Sequence, residues 1–487
     1  MSELWTFLAI ALPVLAALLA TIPTVDLAYQ LRAGAEILGG QGIPTVDSWT
    51  FTAAGMPWLD QQWAAQVILA AIHGAFGWTG LAMFRAALVG CISGLILAAI
   101  RARAPDLPPR TAALLGLSAF VVMAPALALR PQLLGMALFA LVLAILALRR
   151  SRPWLVWTLP IVALVWANLH GSFVLAPVLV GLAWLDDAAN RSPRARTTGL
   201  VTFATMLATV GTPSGIGAWR YAAGLATNRE ITAQISEWQP PALTDVPGLL
   251  FWGSVVLVAV SAVVLVRRRD RLAWPGLLGL IAFAALGAIA ARGIAWWPGV
   301  AVVTIAGLAA QPDAADRTST TARPLARGNR LNALLGAGLL TAGIALVPAW
   351  RPVDRGLEAP SGLLDQAPSG ITASLRAIAT PADRVWNPQI WGSWLEFAVP
   401  APSYALDSRI EVIPAQVWVD AALVAAAAAG WPGVLDRAGV TIVVTEGSAS
   451  RLASALAASS GWAVAFADAD GAVWIRSLHR SRSPGIP

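Results

Sequence analysis

Apolar runs long enough to cross a bilayer recur along the chain at about 4–25, 81–101, 111–129, 132–150, 153–168, 171–188, 197–213, 248–267, 272–291, 294–311 and 331–349. A hydrocarbon core about 30 Å thick takes about 20 residues of helix, so the pattern predicts a mainly α protein, a polytopic transmembrane bundle of about 11 spans. Residues 63–76 are apolar too, but their helix would cover only about 21 Å at about 1.5 Å per residue. They are read as a helix resting on the membrane surface. After about residue 350 the runs shorten. Residues 440–444 and 472–475 read as strands, and 418–430 and 448–458 as helices, which predicts a small C-terminal α/β domain. The division that follows is a membrane domain over 1–350, with a first loop over 26–80, and a second domain over 351–487. Residues 312–330, rich in Pro, Ser, Thr and Asp, read as a solvated linker.

With 57% hydrophobic and 12% charged residues, the chain has too little polar surface to cover a water-soluble globule of 487 residues. The net charge of +7 comes from arginine alone, since there is no lysine. The arginines cluster between apolar runs: Arg101, Arg103 and Arg110; Arg149, Arg150 and Arg152; Arg191, Arg194 and Arg196; Arg267, Arg268, Arg269 and Arg271; Arg317, Arg323, Arg327 and Arg330. Such clusters mark cytoplasmic loops and argue against nucleic acid as a partner. If 63–76 does not span, all five clusters fall on the cytoplasmic side with the N-terminus. The first loop, with Asp26, Glu36, Asp47 and Asp60 against Arg32, then falls outside, as does everything after Trp350. The first run lacks a basic leader and a small-residue cleavage site, so it reads as an uncleaved anchor. The lone Cys91 excludes a disulfide framework and reads as a small buried hydrophobe. All-arginine usage and abundant alanine point to a high-GC bacterial source, hence a bacterial plasma membrane.

Polar residues near the ends of spans are costly to place and tend to be functional. On the predicted outer side these are Asp26 and Asp47 in the first loop, Arg130 and Gln132 around Pro131, Asn168 and His170 between two short spans, Glu237 and Trp238 in the segment 214–247, and Arg292 just before Trp296 and Trp297. Asp26 has the chemistry of a general base and is equally suited to cap the helix that follows. Asp47 is a second acid, a metal ligand or a turn former. Arg130, His170 and Arg292 suit a phosphate, with Arg220 and Arg229 as weaker candidates. Glu237 and Trp238 could hold a sugar, the carboxylate on its hydroxyls and the ring on its apolar face, or anchor a rigid turn at the interface. Trp386 to Glu396 and Leu406 to Glu411 could bind a glycan or peptide, but a packed Asp407–Arg409 pair is favoured. No phosphate-binding loop, dinucleotide fingerprint or metal-protease motif occurs, which disfavours a nucleotide-sugar donor. A divalent metal ion is left open as a cofactor.

The first loop starts with an acidic residue directly after the first span. It continues with an amphipathic stretch over 27–38, a Gly/Pro-rich turn over 39–57 and the apolar stretch 63–76. This arrangement resembles the glycosyltransferase C superfamily, which includes the protein O-mannosyltransferases. Asp26 matches the position of that family's catalytic aspartate. The resemblance implies an integral membrane glycosyltransferase that takes a sugar from a polyprenyl-phosphate donor and delivers it to a lipid, glycan or protein acceptor outside the cytoplasm. The alternative is a non-enzymatic polytopic protein, either a transporter or flippase of envelope lipids or an assembly scaffold.

Overall fold

The computed structural model describes residues 2–227, 236–267, 274–310 and 326–477. Arg229, the basic residues Arg268, Arg269, Arg271, Arg317 and Arg323, and most of the stretch read as a linker lie outside the described residues.

In chain order the helices are α1 (Ser2–Leu19), α2 (Leu27–Leu38), α3 (Trp63–Arg103), α4 (Pro109–Met123), α5 (Pro131–Leu148), α6 (Leu159–Leu169), α7 (Leu175–Ala189), α8 (Ala195–Ala208) and α9 (Gly217–Thr227). They continue with α10 (Val246–Val266), α11 (Trp274–Ile289), α12 (Trp297–Ala309), α13 (Ala326–Ala345), α14 (Ser369–Ile378), α15 (Gln389–Ala398), α16 (Ala415–Ala425), α17 (Trp431–Arg437) and α18 (Arg451–Ala457). Proline sits in the first turn of α4, α5, α6, α10 and α12, where its missing N–H would have no partner anyway. Among the described residues five helical stretches are long and apolar enough to cross a membrane: Trp63–Arg103, Pro109–Ala126, Pro131–Leu148, Gly171–Ala189 and Val246–Val266. The runs near 4–25, 153–168, 272–291, 294–311 and 331–349 form shorter apolar helices, and 197–213 forms α8, so helix length and composition single out five of the 11 expected spans.

The residues form two compact units, Met1–Ala20 with Ala82–Trp350, and Thr21–Leu81 with Arg351–Pro487. The first is a helix bundle whose polar contacts sit at helix ends. Arg101 Nη2 donates to Thr6 Oγ1 at 2.7 Å, Arg110 lies 5.5 Å from the Trp5 ring centroid, and Arg103 passes against Gly307. Arg149, at the last turn of α5, pairs with Asp186 and Asp187 of α7, and Arg194 donates to the Arg150 carbonyl. α4 starts beside Arg110 and α12 finishes near Gly307. Their other ends, at Ala126 and Ile294, therefore lie at the opposite end of the bundle from Arg101, Arg103 and Arg110. Arg85, buried in α3, donates Nη2 to the Ala17 and Ala20 carbonyls at 2.6 and 2.5 Å, which supplies partners to the open C-terminal end of α1. α10 leaves Val256, Leu257 and Val260 exposed, and Cys91, expected to be buried, is exposed on α3. Both suit a lipid-facing surface, where an apolar side chain or a thiol needs no cover.

Within α3 the backbone breaks at Gly77, with φ 60° and ψ −159°, so 63–76 and 78–103 are separate helical segments. Only glycine takes that conformation without strain.

The second unit is α/β. Its five-stranded sheet has the order β6 (Ser403–Tyr404), β5 (Arg384–Trp386), β7 (Ile442–Glu446), β9 (Gly471–Arg476), β8 (Trp462–Ala467). β5 runs parallel to β6 and β7, while β9 is antiparallel to β7 and β8. The stretch 45–58 forms a small hairpin, Val46 opposite Pro57, that lies along the β6 edge: Thr50 bridges Tyr404 and Phe51 N donates to the Tyr404 carbonyl at 3.0 Å. Two short pairings complete the unit. β2 (Val353–Asp354) pairs with β3 (Ala359–Pro360), and β1 (Ile22–Pro23) runs parallel to β4 (Leu364–Asp365). His73 and Trp78 pack edge-on to Phe397 of α15 at 5.6 and 6.0 Å. Of the apolar stripe expected on α2, Leu27 and Leu31 are buried but Ala35 and Leu38 are exposed. Ala28, Tyr29, Gln30, Ala33 and Gly34 are buried as well, so the first two turns are enclosed on all sides.

A Cβ at position 34 would stand 2.1 Å from the Gln66 carbonyl oxygen and 2.8 Å from Ala70 Cβ, whereas one at Gly74 would meet nothing within 4 Å. Gly34→Ala is expected to cost about 1–3 kcal/mol of stability and Gly74→Ala to be neutral or stabilising, read as thermal midpoints of the purified protein.

Candidate functional site

In the bundle, Arg130, Gln132, Glu237 and Arg292 line one cavity of about 260 Å³, closed by Pro125, Pro241, Asp245 and Ile294. Arg130 precedes Pro131, which holds it extended at φ −141° and ψ 165°, so its side chain leaves just before α5 begins. Arg292 lies in the single 3-10 turn Ala291–Ala295. Gly293 makes that turn possible, because a Cβ there would fall 2.2 Å from the Leu286 carbonyl oxygen. The backbone ties the two sides together: Ala291 N donates to the Gln239 carbonyl at 2.9 Å, and Trp252 Nε1 to the Pro241 carbonyl at 3.1 Å.

Glu237 sits between the two guanidiniums, 2.7 Å from Arg130 Nη1 and 3.7 Å from Arg292 Nε. Burial works to raise its carboxyl, but the two arginine charges and the Arg130 hydrogen bond outweigh it and hold the group below its ordinary value. Arg292 also stacks 5.3 Å from the Trp238 ring centroid. Two cations share the bridging carboxylate of Glu237, while Asp245 at the wall accepts from Gly248 N at 2.6 Å, so the lining is formally neutral and an anion would take the place of Glu237 between the two guanidiniums.

His170 and Asn168 do different work. Ser172 N donates to His170 Nδ1 at 3.2 Å, so the proton of the neutral ring is on Nε2. Burial, with the Arg292 charge adding to it, pushes the imidazole down to about 3. His170 is therefore neutral at physiological pH and can offer an N–H but no positive charge. Asn168 donates Nδ2 to the Leu164 and Gly211 carbonyls at 2.9 and 3.0 Å, joining the end of α6 to the turn after α8.

In the second unit, Asp26 is half-buried at the start of α2 and makes no side-chain capping bond to that helix. The chain just before it is held on two sides: Thr24 Oγ1 donates to the Asp365 and Gln366 carbonyls at 3.0 Å, and Ser408 Oγ to the Val25 carbonyl at 2.8 Å. Asp47 is fully buried. It accepts from Thr50 Oγ1 at 2.6 Å, from the Trp49 and Thr50 backbone, and from Arg409 Nη2 at 2.6 Å. Arg409 also pairs with Asp407, as the sequence favoured, and lies 4.2 and 4.6 Å from the ring centroids of Trp49 and Trp58. Glu396 faces the same cluster. Burial, reinforced by the charge of Asp407, raises its carboxyl well above the ordinary range. Asp47 thus clamps the 45–58 hairpin to Arg409, and Asn387 accepts from Ala405 N at 3.1 Å beside it. Sequence reasoning missed Arg85, an ionisable group within an apolar run, a signal visible in the chain, and it gave Asp60 and Glu396 no role of their own. Among the described residues no three or more His, Cys, Asp or Glu side chains gather in a way that could hold a metal ion.

Asp60 makes a testable case. Burial raises its carboxyl from 3.8 to about 7, against the lowering hydrogen bonds from Gln62 N and Gln66, and its Oδ2 is buried with no hydrogen-bond partner. A folded value above the unfolded one means that stability is full below about pH 4 and falls as pH rises to about 7, by at most about 4 kcal/mol. Asp60→Asn is expected to raise the thermal midpoint at pH 8 and flatten its dependence between pH 4 and 7. An unchanged pH profile would place the proton elsewhere. Asp47→Ala, which leaves Arg409 with Asp407 as its one remaining carboxylate partner and removes the acceptor of Thr50 Oγ1, is expected to cost about 2–4 kcal/mol in denaturant titrations.

No family model matches the chain, and no curated protein matches it. Its fold is similar to that of the crystal structure of an oligosaccharyltransferase from Archaeoglobus fulgidus in the apo form, with a TM-score of 0.54 and 11% sequence identity over 91% of this chain and 68% of that one. At that identity the likeness shows a shared fold.

Proposed function

We propose that this protein is an integral membrane glycosyltransferase that takes a sugar from a polyprenyl-phosphate-linked donor and delivers it to an envelope acceptor, a lipid, glycan or protein, at the extracytoplasmic face of a bacterial plasma membrane. The observation that carries the reading is the pair Arg130 and Arg292 around Glu237, at the bundle end opposite the arginine-rich end. A fold shared with an enzyme named an oligosaccharyltransferase supports it. So does the positive-inside rule: with the basic end in the cytoplasm, the Arg130–Arg292 end faces outward, and about 11 spans would put the N-terminus inside and residues 351–487 outside. The ionised groups at helix ends favour an enzyme over a transporter, which would carry them along a path through the membrane.

In this reaction the acceptor hydroxyl oxygen bonds to the anomeric carbon, the bond from that carbon to the phosphate oxygen breaks, and the electron pair leaves with polyprenyl phosphate. Asp26 takes the hydroxyl proton. Arg130 and Arg292 meet the phosphate charge, while Gln132 and the neutral Nε2–H of His170 offer further donors. Glu237 serves as the counter-ion of the two arginines before the donor binds and turns to the sugar hydroxyls once phosphate replaces it, with the Trp238 ring against the sugar. Asn168 shapes the turn beside His170.

Membranes with and without the chain, supplied with labelled polyprenyl-phosphate sugars, test the class of reaction directly. Arg130→Ala and Arg292→Ala are expected to raise the KM for donor about tenfold or more. Glu237→Gln should lower it by removing the competing carboxylate. Asp26→Asn should cut kcat at least about a hundredfold with donor binding unchanged. Full activity of the Asp26 variant would remove the assigned base, and a KM indifferent to both arginines would remove the phosphate site.

A further inference from the structure

The bundle unit holds a second and larger cavity that shares no residue with the first. α1, the later part of α3 and α13 enclose a groove of about 770 Å³, a volume within the range of about 300–1,000 Å³ typical of ligand cavities. Its walls are apolar: Ile10 and Val14 from α1, Met83 from α3, Leu340 and Ile344 from α13. Met83 and Arg101 both line it, and the 18 positions between them at about 1.5 Å each make the groove about 27 Å long, most of the depth of a hydrocarbon core about 30 Å thick.

Polar groups line it at one end only. There Arg101 Nη2 donates to Thr6 Oγ1 at 2.7 Å, and Glu3 stands exposed at the mouth. The same end of the bundle carries Arg103 and Arg110, so three arginines face Glu3 and Asp106, an excess of positive charge. A long apolar trough closed by a guanidinium fits an amphiphile with hydrocarbon tails and a negatively charged head. A neutral or zwitterionic head would leave the excess charge unmet. An arginine near a membrane surface favours anionic lipid, and a guanidinium matches the geometry of phosphate.

We propose that this groove is a binding site for an anionic phospholipid of the leaflet at the arginine-rich end, its acyl chains along α1 and α13 and its phosphate at Arg101. The site is independent of the donor site proposed above, since it lies at the other end of the bundle and uses none of the same side chains.

Native mass spectrometry of the full chain, purified in detergent and delipidated, tests this with two probes of identical acyl chains, phosphatidylglycerol and phosphatidylcholine. One phosphatidylglycerol should bind at least about fivefold more tightly than phosphatidylcholine, the effect of one arginine on an anionic head. Arg101→Ala should erase that preference, Leu340→Trp should weaken binding of both lipids by filling the trough, and Arg152→Ala, an exposed arginine that does not line the groove, should leave the preference intact. Equal binding of the two lipids by the unaltered protein overturns the proposal, as does a preference that survives Arg101→Ala. Should Leu340→Trp fail to fold, judged by its melting curve, Gly343→Leu fills the same wall. Loss of sugar transfer with lipid binding intact, or the reverse, separates this site from the donor site.

Discussion

An apolar helix bundle can hold ionised side chains only where helices end, because a charge along a lipid-facing span has neither water nor a backbone partner to meet it. Among the described residues the charged contacts of the bundle follow that constraint, Arg85 by reaching from within α3 to the end of α1. Arg149 bridges from α5 to two aspartates of α7, and Arg130 and Arg292 share Glu237 where α5 and α12 begin. The candidate anion site is thus a consequence of architecture as much as of chemistry. Short helices with proline in the first turn leave their polar residues together at one end.

The second unit solves the same problem by enclosure. Arg409 is buried, yet it is met by Asp407, by Asp47 and by the faces of two tryptophans. Breaking such a cluster strands a charge, so it holds the hairpin in one register rather than adding much net stability. Because Ser408 is next to Arg409 and holds the Val25 carbonyl, the cluster also governs how the chain enters the helix that Asp26 begins.

The spacing of apolar runs located the helices of the bundle, and their ends located the cavity residues, because hydrophobic period and span length are properties of neighbours in sequence. The stretch 63–76 illustrates how far this goes. Read from the sequence as a short helix of its own, it is a separate segment whose end is set by Gly77. The strands near 442 and 472 were legible for the same reason, but the order of the sheet was not.

Roles that depend on distant partners were beyond such reading. Asp47 could be read from the chain as an acid, a metal ligand or a turn former, but its partner Arg409 is 362 positions away and its burial is not a property of its neighbours in sequence. His170 has the right side chain for a phosphate, but burial and Arg292 keep it neutral. Nor did the order of the chain reveal that residues 21–81 fold with residues 351–477. The sequence by itself determined a polytopic helical protein with polar groups confined to helix ends, since local hydrophobicity dictates where each segment is soluble. Only the tertiary structure decided which of those groups meet, and so which are charged, because protonation and pairing depend on what folding brings within a few ångströms.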